Sequence, residues 1–237
     1  MAIRLNRYRV VVAGMLLVGI GPLAASSQAP TPGSRQTSST EALPPDVFAD
    51  SRNRLPVVKR DDLDQLGKQL YDDTAGNARL LAGFQGPGGI HLHSPQSGEV
   101  VRRLNTYLRF ETALGARTVE LAILVTAREL DSQFEWAAHE PAALRTGVSQ
   151  ELVDIVKHRQ PVVGLSEQDA TIIQLGREAL GSRRVTPATY ANALKIWGPK
   201  NLVDLATLIG EYSATAVLLT TFDQQLPIGE RPALPPR

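Results

Sequence analysis

Apolar residues recur at intervals of three and four along most of the chain from residue 94 onward, which is the period of amphipathic helices. Serine or threonine precedes several of these segments and glycine follows several of them, as at helix starts and ends. No two alternating runs are joined by a hairpin turn, so the pattern predicts an all-α fold. The predicted helices cover residues 61–71, 94–112, 118–130, 132–147, 149–157, 166–181, 186–198 and 200–222.

Three segments stand out from this regular pattern. Residues 118–130 are apolar on nearly every face and predict the buried central helix. Residues 75–92 are rich in glycine and predict an irregular loop without the spacing of a phosphate-binding fingerprint. The last helix is long enough to cross a bilayer, but Lys200, Asp204 and Glu211 in its first half favour a helix of the protein core.

The first 29 residues have the pattern of a secretory signal peptide. Three arginines precede an apolar run over residues 10–25, and small residues follow it. The run is shorter than the roughly 20 residues of a membrane span and is broken by glycine and proline, which favours cleavage over a stable membrane anchor. We therefore expect a secreted or periplasmic protein, with a flexible leader over residues 30–54 and one helical domain over residues 55–230.

Composition narrows the possible functions of the chain. Its 237 residues carry 25 basic and 24 acidic side chains, and a net charge of +1 gives no basic field for nucleic acid. Cysteine is absent, which excludes disulfides, thiolate metal sites, a cysteine nucleophile and a dithiol redox cycle. Hydrophobic residues make up 43% of the chain, which is normal for a soluble globular protein and excludes wholesale disorder.

One group of polar residues is a candidate acid–base site. Glu120 is embedded in the apolar central helix, where a carboxylate is costly unless it is paired or protonated. His139 lies four residues after Glu135 on the next helix, so these two side chains share a face. A short turn near Asp131 joins the helices. Glu120 lies roughly 16 Å before that turn and His139 roughly 12 Å after it, so the two can face each other.

Other interpretations of these residues remain open. Ser132 and Glu135 fit a capping box, in which Glu135 only satisfies the helix start. An interior histidine is often a hydrogen-bonded core residue, and Glu135 with His139 can share a metal ion. One histidine and two carboxylates are few ligands, so we expect no metal. His93, close to His91 in the glycine-rich loop, either lines a pocket mouth or is an ordinary loop residue.

Three stretches carry a resemblance to a known family. The stretches are Val119–Ser149, the Arg-Leu-Pro start at Arg54 and the segment Gly210–Ala216. They resemble the carboxymuconolactone decarboxylase family, whose relatives include the alkylhydroperoxidase D proteins, over about residues 55–227. The resemblance implies an alkylhydroperoxidase D-like helical bundle that forms homo-oligomers.

The resemblance also implies roles for individual residues. The peroxidase branch uses a glutamate, two cysteines and a histidine; Glu120 and His139 match the first and last, while Ser132 and Glu135 occupy the cysteine positions. Without thiols the peroxide-reducing cycle cannot run. The Glu135–His139 spacing is instead similar to the decarboxylases, which implies a lyase that needs no cofactor.

In such a lyase, carbon dioxide leaves a lactone acid and the remaining dienolate is reprotonated. His139 would donate the proton, Glu120 or Glu135 would set its tautomer and charge, and Ser132, Trp136 and His93 would contact the substrate. Because lactone acids of aromatic catabolism are expected in the cytoplasm, an exported chain favours a different small molecule. The alternative is a non-catalytic helical protein that binds a small ligand or assembles.

Overall fold

The computed structural model describes residues 43–76 and 83–236, and within these ranges it contains helices and no strand. The predicted signal peptide and residues 30–42 of the predicted leader lie outside the described residues. The all-α fold class is confirmed. The helices are α1 (Gln65–Ala75), α2 (Pro87–His91), α3 (Pro95–Thr106), α4 (Ala116–Glu129), α5 (Gln133–Arg145), α6 (Gln150–Lys157), α7 (Glu167–Gly176) and α8 (Pro187–Thr221).

Short polar side chains cap the starts of four of the eight helices in the described residues. The hydroxyls of Ser149, Ser166 and Thr186 accept hydrogen bonds from the first turns of α6, α7 and α8, as the sequence predicts. α1 starts later than predicted, because residues 60–62 form a separate 3-10 turn and Asp64 caps the helix. Two π-helical turns, Tyr107–Glu111 and Arg177–Ser182, extend α3 and α7.

Helix α4 lies at the centre of the molecule. Every residue from Thr118 to Glu129 is buried, and α4 packs against α5, α7 and α8. The prediction of a buried central helix is confirmed. This position matters for function because any polar side chain on α4 must find its partners inside the protein.

Helix α8 is long and apolar enough to cross a membrane by length and composition alone. It is broken at Gly198, whose φ of 67° is not helical, close to the predicted boundary between two helices. The side chains of Leu205 and Leu208 on α8 are fully buried in the main hydrophobic core. We therefore interpret the second half of α8 as a core helix.

The packed part of the chain begins before residue 55, so the predicted flexible leader is wrong for its last residues. Ser51 and Asn53 are buried, and the Asn53 side-chain amide donates to Gln224 Oε1 over 2.9 Å. This contact could not be predicted from the composition of the leader, because the two residues that form it are 171 positions apart in the sequence. At the other end, Leu234 is buried and Gln133 hydrogen-bonds its backbone, so packing also continues past residue 230.

The contact of α7 with α4 generates a stability prediction. A Cβ added at Gly176 would overlap Cγ1 of Val125 on α4, so Gly176→Ala should lower the free energy of unfolding by about 1–3 kcal/mol. The matched control is Gly210→Ala on α8, where an added Cβ meets no atom within 4 Å. This control should raise stability by about 0.5–1 kcal/mol, because alanine is the better helix former. Urea unfolding measures both, and equal stabilities would contradict the close α4–α7 approach.

Candidate functional site

Glu120, on α4, is held between a histidine and an arginine. Its Oε2 lies 2.7 Å from Nδ1 of His139 on α5, and its Oε1 accepts a hydrogen bond of 3.0 Å from Nη2 of Arg109. Glu120 and His139 are both buried, whereas Arg109 keeps about a quarter of its side chain exposed. The predicted contact across the helix pair is confirmed. A buried carboxylate with two charge-assisted partners can remain ionised.

Glu135 approaches the other ring nitrogen of the same histidine. Its Oε2 lies 3.5 Å from Nε2 of His139, so both nitrogens of the ring face carboxylates. The capping-box interpretation is wrong, because the Ser132 side chain makes no cap hydrogen bond and Glu135 points toward the histidine instead. The closer carboxylate, Glu120, holds Nδ1, while Nε2 has the longer and looser contact.

Helix α8 adds residues that were not assigned to the site from the sequence. Glu211 and Tyr212 are both buried, and the Asn105 side chain donates to Glu211 Oε2 over 3.3 Å and to the Tyr212 hydroxyl over 3.4 Å. The Tyr212 ring meets the His139 ring edge-on, with centroids 5.2 Å apart. Like Glu120, Glu211 is a carboxylate in an apolar helix, but from the sequence alone it indicated only that this helix does not span a membrane. No feature of the sequence around Arg109 pointed to the site. We call Asn105, Arg109, Glu120, Glu135, His139, Glu211 and Tyr212 the acid–base cluster.

The three carboxylates of this cluster have different proton affinities. Burial alone would raise the pKa of Glu120, but the hydrogen bond and charge of His139, with those of Arg109, lower it. Burial raises the pKa of Glu135 despite the nearby His139 and Arg109. Burial, with repulsion from Glu135, raises the pKa of Glu211 to about 7. Glu120 is therefore the favoured site of negative charge, and Glu135 and Glu211 bind a proton more readily than Glu120 does.

The three residues predicted to contact substrate are not gathered at this cluster. Ser132 is half-buried at the start of α5, one turn before Glu135. Trp136 is fully buried in the main core with no hydrogen-bond partner on its indole nitrogen, so its predicted contact with substrate is not supported. The reason is that its large apolar ring packs on the inner side of α5.

The third of these residues, His93, lies elsewhere. Its Nε2 is 2.9 Å from the carbonyl oxygen of Pro56, and it lines a small cleft with residues 51–58 and α2 that includes no member of the acid–base cluster. We interpret it as a residue that joins two loops. Within residues 43–76 and 83–236, no three or more histidine, aspartate or glutamate side chains are arranged to hold a metal ion.

A second cleft lies between α7 and the start of α8. Its volume is about 380 Å³, and it is lined mainly by polar side chains, among them Gln174, Glu178 and Thr189. The carboxylate of Glu178 accepts hydrogen bonds from Gln174, from Thr189 and from the backbone of Thr186. These bonds tie α7 to the start of α8, so the polar groups have a structural explanation.

The chain is similar to known proteins both in sequence and in fold. Residues 95–172, which include Arg109, Glu120, Glu135 and His139, match the model of the carboxymuconolactone decarboxylase family. The fold is similar to a crystal structure described as an alkylhydroperoxidase AhpD core, an uncharacterized peroxidase-related protein from Ralstonia eutropha. That similarity has a TM-score of 0.61 at 14% identity and covers 75% of this chain and 93% of the other. A search among curated proteins found no match.

The burial of Glu120 generates a prediction about stability. Glu120→Ala should lower the free energy of unfolding by about 3–5 kcal/mol, because Arg109 loses its carboxylate partner inside the protein. The matched control is Glu167→Ala, which removes the exposed ion pair with Lys195 and should cost at most about 1 kcal/mol. Urea unfolding at pH 7 measures both. Equal losses in the two variants would contradict the pairing.

Proposed function

Because residues 95–172 match the model of the carboxymuconolactone decarboxylase family, the fold is similar to an AhpD core and the chain contains no cysteine, we propose that the protein is a lyase that needs no cofactor and acts on a small organic acid or lactone. The observation that carries the proposal is the 2.7 Å contact between Glu120 and His139 Nδ1. A carboxylate on Nδ1 fixes the ring and its tautomer, as in other acid–base sites. Nε2 is then the nitrogen that exchanges a proton with substrate.

The proposed reaction is a decarboxylation followed by a proton transfer. The bond between the substrate carboxylate and its carbon breaks, carbon dioxide leaves, and the electron pair stays as an enolate conjugated with the carbonyl group of the lactone or acid. His139 Nε2 then donates its proton to carbon, and the neutral histidine is reprotonated before the next turnover, with solvent as the final source of the proton. Before the transfer to carbon the His139 ring carries a positive charge, and the Glu120 carboxylate stabilises that charged form. A positioned proton donor of this kind contributes about 10²–10⁴-fold to rate.

This chain differs from thiol peroxidases at the two positions where those proteins have cysteines. Ser132 and Glu135 cannot form a disulfide, so peroxide reduction coupled to a dithiol is not part of the proposal. Glu135 instead gives His139 a second acidic neighbour. The predicted signal peptide favours a substrate found outside the cytoplasm, and the N-terminal mass of the protein from its host would check that location.

A non-catalytic helical protein is the second candidate, and one observation favours it. Glu120, Glu135 and His139 are all at most 8% exposed, and Glu120 has both of its oxygens paired. A cluster that only stabilises the fold or supports ligand binding would have the same geometry. The two candidates differ in what a conservative change of His139 does to turnover.

His139→Gln should leave the protein folded and reduce turnover by about 10²–10⁴-fold, because glutamine keeps a hydrogen bond to Glu120 but cannot transfer the proton. The substrate comes from screening lactones, enol acids and β-keto acids for release of carbon dioxide by the wild type. His158→Gln, at an exposed histidine after α6, is the control and should match the wild type. Melting temperature is measured beside turnover. Wild-type turnover in folded His139→Gln would refute this mechanism, and a screen without turnover would favour the non-catalytic candidate.

We also propose that the protein is a homo-oligomer that associates through α8. From Val203 to the end of α8, the exposed positions carry no charge; they are Val203, Ala206, Thr207, Gly210, Ala214, Val217, Thr220 and Thr221. Val203 and Val217 are each 65% exposed, which is unusual for two valines on one helix face. An uncharged face of this length suits contact with a second copy.

Val217→Glu should therefore shift the protein toward the monomer, because the charge would be buried without a partner in the interface. Val163→Glu is the matched control, since Val163 is 88% exposed in the loop between α6 and α7 and is not on the uncharged face of α8. Light scattering coupled to size exclusion gives both masses. An unchanged mass in Val217→Glu would contradict an interface at this face.

A further inference from the structure

Glu211 brings a third buried carboxylate to the acid–base cluster from a different helix. It is 8% exposed, its Oε2 accepts a hydrogen bond from the side chain of Asn105, and its Oε1 lies 3.4 Å from the Thr215 hydroxyl. Neither hydrogen-bond partner is charged, so Glu211 lacks a direct ion pair like the one between Arg109 and Glu120. The mechanism described above does not use it.

The charges of the cluster do not balance if all three carboxyl groups are ionised. Arg109 is the one permanent cation that acts on them within the described part of the chain. Three carboxylates with one arginine give a buried net charge of about −2, or −1 when the histidine is protonated. Unpaired buried charge is costly, and the system lowers that cost by binding a proton. The proton belongs on Glu135 or Glu211, because Glu120 is already paired with Arg109 and His139.

Groups on three other elements, and on α8 itself, act on Glu211. These groups are Asn105 on α3, Arg109 on the π-helical turn, Glu135 on α5, and Tyr212 and Thr215 on α8. Glu135 is in turn influenced by Glu120 on α4 and by His139 on α5. Glu135 thus interacts electrostatically with both Glu211 and His139. This arrangement connects the carboxyl group on α8 to the proton-donating nitrogen of the histidine.

We propose that Glu211 is a positioning residue that stores a proton in the cluster, and that its charge state controls how readily Glu135 protonates His139 Nε2 after each turnover. The proposal rests on the proposed function for its last step alone. In that step Glu135, which lies 3.5 Å from Nε2, protonates the neutral histidine and regains a proton from solvent, while the proton held by Glu211 relieves the repulsion between the two carboxyl groups. No oxidant or further reactant is involved.

The sign of the pH dependence follows from burial. Burial, with repulsion from Glu135, raises the pKa of Glu211 to about 7, so the folded protein binds more protons than the unfolded chain between the ordinary range of glutamate and about pH 7. The stability that Glu211 contributes is therefore fully present below the ordinary pKa of glutamate, declines as pH rises toward 7 and is lost above it. The melting temperature of the wild type should fall from pH 5 to pH 8.

A purely structural role for Glu211 predicts a different result. In that case it only ties α8 to α3 through Asn105. Glu211→Gln keeps the size of the side chain and an oxygen that accepts from Asn105, so a structural role would leave the pH dependence unchanged. A proton store would lose the titrating group, and the fall in melting temperature between pH 5 and pH 8 should become smaller.

The experiment measures melting temperature from pH 5 to pH 8 for wild type, Glu211→Gln and Glu178→Gln, together with NMR titration of the His139 ring. Glu178 is the matched control because it is equally buried, but hydrogen bonds from Thr186, Gln174 and Thr189 lower its pKa against the effect of burial. Glu178→Gln should keep the wild-type fall. Glu211→Gln should lose part of the fall and shift the midpoint of the histidine titration.

Each outcome decides the proposal. An unchanged fall, or an unchanged titration of His139, in Glu211→Gln would overturn it. If the fall and the titration both change while no substrate is turned over by the wild type, the proton store stands and the lyase function fails. If Glu211→Gln does not fold, carbon-13 NMR of labelled glutamate in the wild type replaces it. A Glu211 midpoint near 7 then supports the proposal, and a midpoint in the ordinary glutamate range overturns it.

Discussion

The site depends on one buried carboxylate, Glu120, held between Arg109 and His139. Helix α4 passes through the centre of the molecule, so a charge on it has no access to bulk water and must be compensated inside. The histidine on α5 and the arginine after α3 provide that compensation at 2.7 and 3.0 Å. The same contacts fix the histidine ring, so the requirement for stability also produces the orientation that acid–base chemistry needs.

The site could be predicted from the sequence where burial and helix geometry were enough. A glutamate in an apolar helix must find a partner, and a short turn brings His139 opposite to it. Arg109 could not be found in this way, because it lies in a π-helical turn whose direction depends on packing. Glu211, like Glu120, is a carboxylate in an apolar helix, but no short turn in the sequence places its helix next to α4 or α5. Only the tertiary fold brings α8 to the cluster.

The fold itself was predictable in its helices and less so at its ends. Caps such as Ser149 and Ser166 and the break at Gly198 are local features, and local rules are sufficient to place them. The burial of Asn53 and Leu234 depends on contacts more than 100 residues apart along the sequence, which composition does not reveal. Trp136 shows the same limit, since its neighbour Glu135 belongs to the cluster while its own ring packs into the core.

The central claim is that His139 Nε2 is the atom that exchanges a proton with substrate. A crystal structure with an unreactive analogue, such as a saturated lactone acid, tests it most directly. The account predicts that the analogue's carbon at the reacting position lies about 3–3.5 Å from Nε2, with Nδ1 still on Glu120. An analogue bound only in the cleft beside Glu178, with the cluster closed to it, would contradict the account.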